Sequence, residues 1–458
     1  MSHTRRNLVY TLLLVGLFFL TPQATAQDNN FAETQYFLDL IRSSDKKVHD
    51  RAFSFIDKNW KDEFEIMAIE IMYFGYNSGV GQRMAVLLNE KTNQNGGLDF
   101  NAWYAYLWNK EEKLIPGYDY FKSQLHKEID PKFENYFQGR QENSLIRLDE
   151  IRWGGVLQDG IPPLRNPEMI SVQQASYLQD DNIVFGIEVN GEARAYPKRI
   201  LAWHEMFTDT VQGIPLAGVY CTLCGTVILY KTTVNGVKHR MGTSGFLYRS
   251  NKLMYDQATQ SLWSTLEGKP VVGPLVGKDI QMDYLSVVTT TWGEWRKKHP
   301  ETSVLSLNTG HRRDYGEGVA YKSYFADDQL MFNVQRNDNR LKNKESILAI
   351  KLPEFPEETV AISTRFLKKN KVYHLEVGSK NLIVLTDKSG ANRVFEAHDT
   401  RFKKLKSSTT VEDSAGMTWT IKENQLLAAD GTAYERIHTF NAFWFGWQAA
   451  YPDTRLIK

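Results

Sequence analysis

The chain has 458 residues with 55 basic and 54 acidic side chains, a formal net charge of +1, and only 2 cysteines. That balance gives no electrostatic footprint for nucleic acid. Two cysteines are too few for a disulfide scaffold, so the fold rests on apolar cores, and this length is enough for two or three of them.

The N-terminus reads as an export signal over residues 1–26. Arg5 and Arg6 precede the apolar run Leu8 to Leu20, and Ala24-Thr25-Ala26 is an A-x-A cleavage site before Gln27. The run is shorter than the roughly 20 residues needed to span a bilayer, and no later segment comes close. The expected mature chain is a periplasmic or secreted protein without stable membrane insertion. Residues 27–150 read as a helical, repeat-like domain. Asp62 to Ile71 and Gln82 to Leu88 alternate charged and apolar residues at helical spacing, and Asp99 caps an aromatic face with Trp103, Leu107 and Trp108.

From Ile161-Pro162-Pro163-Leu164 the texture turns to β, opening a first β-rich unit over 160–310. Asn190-Gly191 and Asn235-Gly236 each sit between alternating runs and predict hairpins. Pro197 opens a short helix, Lys198 to Phe207, that carries Trp203-His204-Glu205. Both cysteines lie in Tyr220-Cys221-Thr222-Leu223-Cys224-Gly225, with apolar β-branched runs on either side. This predicts strand, tight turn, strand, with both sulfurs at the turn and Gly225 supplying a positive φ. A thioredoxin-type pair would instead open a helix.

After a polar connection over 311–345, residues 346–458 repeat the spacing of the first unit. Trp292, Trp295, His299, Pro300 and Thr302 are matched by Trp444, Trp447, Tyr451, Pro452 and Thr454. Arg199 and Leu201 match Arg365 and Leu367, Trp263 matches Trp419, and Cys221, Cys224 and Gly225 fall opposite Thr386, Ser389 and Gly390. The expected fold class is therefore α+β: an N-terminal helical domain, then a duplicated β-rich domain with short helices whose second copy lost the thiols. The first copy is expected to hold an open cleft, and the second turn to be packed shut.

Several separated motifs occur in one order: Ala193-Arg194-Ala195-Tyr196-Pro197, Trp203-His204-Glu205, Tyr220 to Gly225, Ser244-Gly245, Met254-Tyr255-Asp256, Ser261-Leu262-Trp263, Thr291-Trp292 and Arg312-Arg313-Asp314-Tyr315-Gly316. Over about 164–458 the chain resembles the bacterial domain-of-unknown-function family 3179. Thr222 stands where that family usually has proline. The resemblance implies no established activity.

The leading expectation is a zinc or copper site on Cys221 and Cys224, since paired thiolates suit soft or borderline metals. His204 is the expected third ligand and His311 the fourth, with His239 and, for copper(I), Met254 as competitors. An open zinc position would let Glu205 act as a catalytic carboxylate shuttling a proton. Asp256, Ser261 and Trp263 could line a ligand cleft, and Arg312, Arg313 and Tyr315 could hold an anionic substrate. Two other readings stand beside the metal site. One is a thiol–disulfide redox protein without a metal cofactor. The other is a non-catalytic envelope module that binds a small molecule or protein.

Overall fold

The computed structural model describes residues 26–331, 334 and 338–458. The export signal lies outside them except for Ala26, which begins the first helix. No described helix is long and apolar enough to cross a membrane. The chain is mixed α+β, with helices first and a β-rich remainder.

The N-terminal helices include Lys46–Lys58, Phe64–Phe74, Gly79–Thr92, Phe100–Trp108 and Tyr118–Lys127. Asp99 caps the fourth of these by accepting from the backbone N–H groups of Asn101 and Ala102. Phe64–Phe74 is buried nearly all round, so the other helices pack about it. Their core does not end at the helices. Phe246 on strand Met241–Tyr248 packs among His126, Phe133, Tyr136 and Phe137. One apolar cluster thus joins the helices to the antiparallel sheet that strands Met241–Tyr248, Asn251–Asp256, Leu262–Ser264 and Pro270–Val272 form with Ile151–Trp153.

The β-rich part has two halves, each with a four-strand run of the same order, which Met169–Ser171 extends by a fifth strand in the first half. In the first, Ile183–Val189 and Glu192–Pro197 form a hairpin, with φ of 48° at Asn190 and 85° at Gly191. Val288–Thr291 adds antiparallel at one side, and Ser303–Leu305 adds parallel at the other. In the second half, Ser346–Leu352 and Phe355–Ser363 form the hairpin, flanked antiparallel by Phe440–Phe443 and parallel by Arg455–Ile457. Each half then has a Trp helix, Trp292–Lys298 or Trp444–Ala450. Trp295 Nε1 donates to Thr302 Oγ1 at 3.0 Å, and Trp447 Nε1 to Thr454 Oγ1 at 2.9 Å. The backbone N–H of Trp292 donates to Asn182 O, and that of Trp444 to Glu345 O.

Between these parts each half places a three-strand antiparallel run. In the first it is Met206–Val211, Ile214–Cys221 and Thr226–Lys231. In the second it is Val372–Val377, Lys380–Thr386 and Asn392–Glu396, the start of an eight-stranded sheet. The halves are seated on each other reciprocally. The first half's turn meets the second half's Trp helix: Phe443 N–H donates to Cys224 O at 2.7 Å, and Gly446 lies against Cys224. The second half's turn meets the first half's helix: Ser389 Oγ lies 3.0 Å from Thr290 Oγ1, and Lys388 pairs with Glu294 at 2.8 Å.

Candidate functional site

The cysteine turn forms as the sequence predicts. Cys221 pairs with Thr226 across the hairpin, and Gly225 takes φ of 63°. A side chain at Gly225 would meet the Phe443 ring at 2.9 Å, so the position is constrained in both backbone and space. Cys221 and Cys224 are joined to each other as a disulfide. Leu223 O accepts from Tyr324 O–H at 2.8 Å, and Cys224 Sγ lies 2.9 Å from Ser250 O. Cys221 is 4% exposed and Cys224 0%, so the expected open cleft over the sulfurs is corrected. The turn is closed by the seating of Phe443 and Gly446 upon it.

His204 ends the helix Lys198–His204, and Glu205 follows with φ of 55°. His204 Nδ1 donates to Pro162 O at 2.9 Å, which leaves Nε2 to accept from Tyr315 O–H at 2.6 Å. Burial pushes the imidazole down to about 4, helped by the charges of His311 and Arg313 and opposed by the Pro162 bond. With both nitrogens engaged, His204 offers no lone pair to a metal. His311 is exposed and stacks beside His204, with ring centroids 5.1 Å apart. Among the described residues no group of three or more His, Cys, Asp or Glu could hold a metal ion. With the disulfide formed, the sulfurs of Cys221 and Cys224 are joined to each other and the His204 nitrogens face Pro162 and Tyr315, so the expected set of Cys221, Cys224, His204 and His311 is not assembled in this state.

Glu205 is also engaged. Its carboxylate pairs with Lys252 at 2.9 Å, both residues nearly sealed from water, and its carbonyl accepts from Tyr220 N–H. The pair ties the end of the helix to the cysteine strand and to Asn251–Asp256, which suits a positioning role. Asp256 accepts from Ala258 and Thr259 N–H as a turn cap. Ser261 Oγ receives Leu275 N–H, and Trp263 lies in the core against His239. These three are turn and core residues. Met254 is core as well.

The loop after Thr309 behaves differently. Tyr315 turns inward to His204, and Trp203 Nε1 donates to Asp314 O at 2.8 Å. Arg312 and Arg313 stay exposed and, with Trp203 and Tyr321, line an open groove of about 590 Å³. A second cavity, of about 410 Å³, has Leu223 of the cysteine turn and Ser250 in its wall. Arg152, which also lines it, was missed by sequence reasoning. The visible hint was a basic–aromatic pair, Arg152-Trp153, just before Gly154-Gly155.

The family model described as "Protein of unknown function (DUF3179)" matches residues 158–454. The chain belongs to the DUF3179 family. The match takes in the disulfide turn, the His204–Tyr315 pair and both Trp helices, and it stops short of the N-terminal helices. No curated protein and no solved structure matches the DUF3179 chain.

Proposed function

We propose that this DUF3179 protein is an exported, periplasmic thiol–disulfide redox protein in which Cys221 and Cys224 form the dithiol–disulfide couple. We propose also that its two halves are copies of one unit, the second having lost the thiols. The observation that carries the redox reading is the second turn. Thr386 to Asn392 makes a comparable strand–turn–strand link, one residue longer, without any sulfur, using Asp387 to accept from Ser389 and Ala391 N–H. The fold therefore does not need a disulfide to close this kind of turn. A loop this small also gains little from cross-linking, ~2 kcal/mol by the chain-entropy estimate. Structure alone is a weak reason for the bond.

The chemistry is two-electron exchange with a dithiol. A substrate thiolate attacks Cys221 Sγ, the S–S bond breaks, and its electron pair leaves on Cys224. Cys224 takes a proton, and Ser250 O is placed to accept the resulting S–H. The substrate's second thiolate then attacks the substrate sulfur of the mixed disulfide and releases Cys221. The products are the reduced protein and the oxidised dithiol. Because both sulfurs are covered, exchange needs the Phe443 and Gly446 seat on the turn to open.

The test is a redox titration of the folded protein in dithiothreitol buffers, read by thiol alkylation and mass, with circular dichroism followed in parallel. The expected result is one reversible two-electron transition with the fold intact. In Cys224→Ser, treated instead with glutathione disulfide, the Cys221 thiolate should displace one glutathione and keep the other as a mixed disulfide, because neither protein nor glutathione offers a second thiol to release it. A bridge that reduces only when the protein unfolds would overturn the proposal. A metal reading requires the reduced state. Stoichiometric zinc or copper(I) on the reduced protein, lost in both Cys221→Ser and His204→Ala, would replace the redox reading with it.

A further inference from the structure

The cavity of about 410 Å³ lies where the helices meet the first β half, walled by Tyr73, Trp108, Arg152, Leu223, Arg249 and Ser250. Its size falls within the range of small-ligand sites, roughly 300–1,000 Å³. Its charges are not all balanced. Glu150, the carboxylate lining it, is held by Arg249 at 2.7 and 3.3 Å and by Arg147 at 3.7 Å. Arg152 is the remaining cation, and its guanidinium makes no hydrogen bond or ion pair with any described residue. Its guanidinium lies 4.0 Å above the Tyr104 ring, with Trp108 and Tyr73 at 5.9 and 6.0 Å. Stacking occupies the faces of a guanidinium and leaves its N–H edge free to donate. A half-buried cation fixed in this way, with no acceptor for its edge among the described residues, calls for an anion from outside.

We propose that this cavity is a binding site for a small organic anion, a carboxylate on a planar apolar body. The carboxylate is taken by the N–H edge of Arg152 and the body by the aromatic wall. The site goes beyond the redox reading and stands whether or not the disulfide is cycled.

The experiment is calorimetric titration of the full chain with 2-naphthoate and, separately, with the neutral 2-naphthalenemethanol. The wild type is compared with Arg152→Gln and Arg313→Gln, each checked for unchanged circular dichroism. The expected result is that naphthoate binds more tightly than the alcohol. Arg152→Gln should weaken naphthoate about tenfold or more and leave the alcohol unchanged, while Arg313→Gln, in the open groove, should change neither. Absence of naphthoate binding at roughly millimolar concentration, equal affinity for acid and alcohol, or loss of binding in Arg313→Gln rather than Arg152→Gln would overturn the proposal. Should Arg152→Gln fail to fold, Leu223→Trp, which fills the cavity from the cysteine turn, must abolish naphthoate binding. Retained binding there refutes the site equally.

Discussion

Glu423 is a direct test of how the two halves are held together. Its carboxylate, nearly sealed from water, receives Arg393 at 2.7 Å, Lys298 at 2.7 Å and Arg436 at 3.0 Å, with His299 at 3.5 Å. Lys298 and His299 come from the first half's Trp helix and its end, and Arg393 and Arg436 from the second half. Burial would raise the Glu423 carboxyl, but Arg393, His299 and Lys298 outweigh it and hold the group well below its ordinary value. Burial together with the charge of Arg393 pushes Lys298 down to about 8. Glu423→Gln keeps the volume and removes the charge, leaving two buried arginines and the half-buried Lys298 with Asp387, at 3.0 Å from Arg393, as the carboxylate that still answers them among the described residues. Removing one partner of a buried ion pair typically costs about 3–5 kcal/mol, and that is the expected loss here. Lys298→Met should cost less, because Glu423 keeps both arginines. The double variant should be less destabilised than the sum of the singles by about 1–3 kcal/mol. The assay is urea unfolding at pH 7, followed by tryptophan fluorescence and far-UV circular dichroism. A cost for Glu423→Gln below about 1 kcal/mol, or strict additivity in the cycle, would refute the reasoning.

Three further outcomes are expected. His126 and His204 are both held neutral by burial, His204 down to about 4. The unfolded chain takes up these protons near pH 6.5 and the folded chain only lower, so stability should fall as pH drops from 6.5 toward 4. The His204 share should be about 1–2 kcal/mol after solvent screening, and urea midpoints flat between pH 7 and 5 would contradict this. Cys221→Ser should lose no more than ~2 kcal/mol and keep its far-UV spectrum; an unfolded variant would show that the turn depends on the bond. Gly186→Ala should cost about 1–3 kcal/mol, because a Cβ there would lie 2.3 Å from the Trp295 ring. Thermal melts that match the wild type would mean that the Trp295 helix shifts freely.

The parts of the fold that could be read in advance were those set by local chemistry. Asn190-Gly191 and Asn235-Gly236 supply the positive φ values that two-residue hairpins require, and both hairpins form. Asp99 caps its helix because its side chain reaches N–H groups two and three residues on. The cysteine turn was legible for the same reason. What the two sulfurs do was not, because that depends on contacts far along the chain. Closeness in sequence to the cysteine strand makes His204 look like a ligand. Its Nε2 is taken by Tyr315, 111 residues away, and its Nδ1 by Pro162, 42 residues away. Arg152 is hidden from the sequence for a similar reason: its aromatic bed comes from Tyr73 on one helix and from Tyr104 and Trp108 on another. Spacing patterns report neighbours along a strand or helix and carry little information about such pairings.

The reciprocal seating of the halves explains why the thiols are both protected and placed at a junction. Each turn meets the other half's Trp helix, but only the first is sealed by it; the second, expected to be packed shut, keeps Lys388 exposed and Asp387, Ser389 and Gly390 half-buried. In the second half the contact is polar, Ser389 on Thr290 and Lys388 on Glu294, and the turn is braced internally by Asp387. In the first half the cover is the Phe443 backbone and Gly446, and a disulfide spans the turn instead. A small residue at 446 lets the helix approach Cys224 closely, where a Cβ on that glycine would lie 3.3 Å from the cysteine Cβ. On the same turn, Leu223 forms part of the wall of the Arg152 cavity, and Ser250, whose carbonyl faces Cys224, forms another. Any change in the sulfur–sulfur bond therefore reaches two places at once, the seat of the second half's helix and the floor of the anion cavity. Linkage makes the effect reciprocal: an anion that binds one redox state more tightly must shift the redox equilibrium by the same factor.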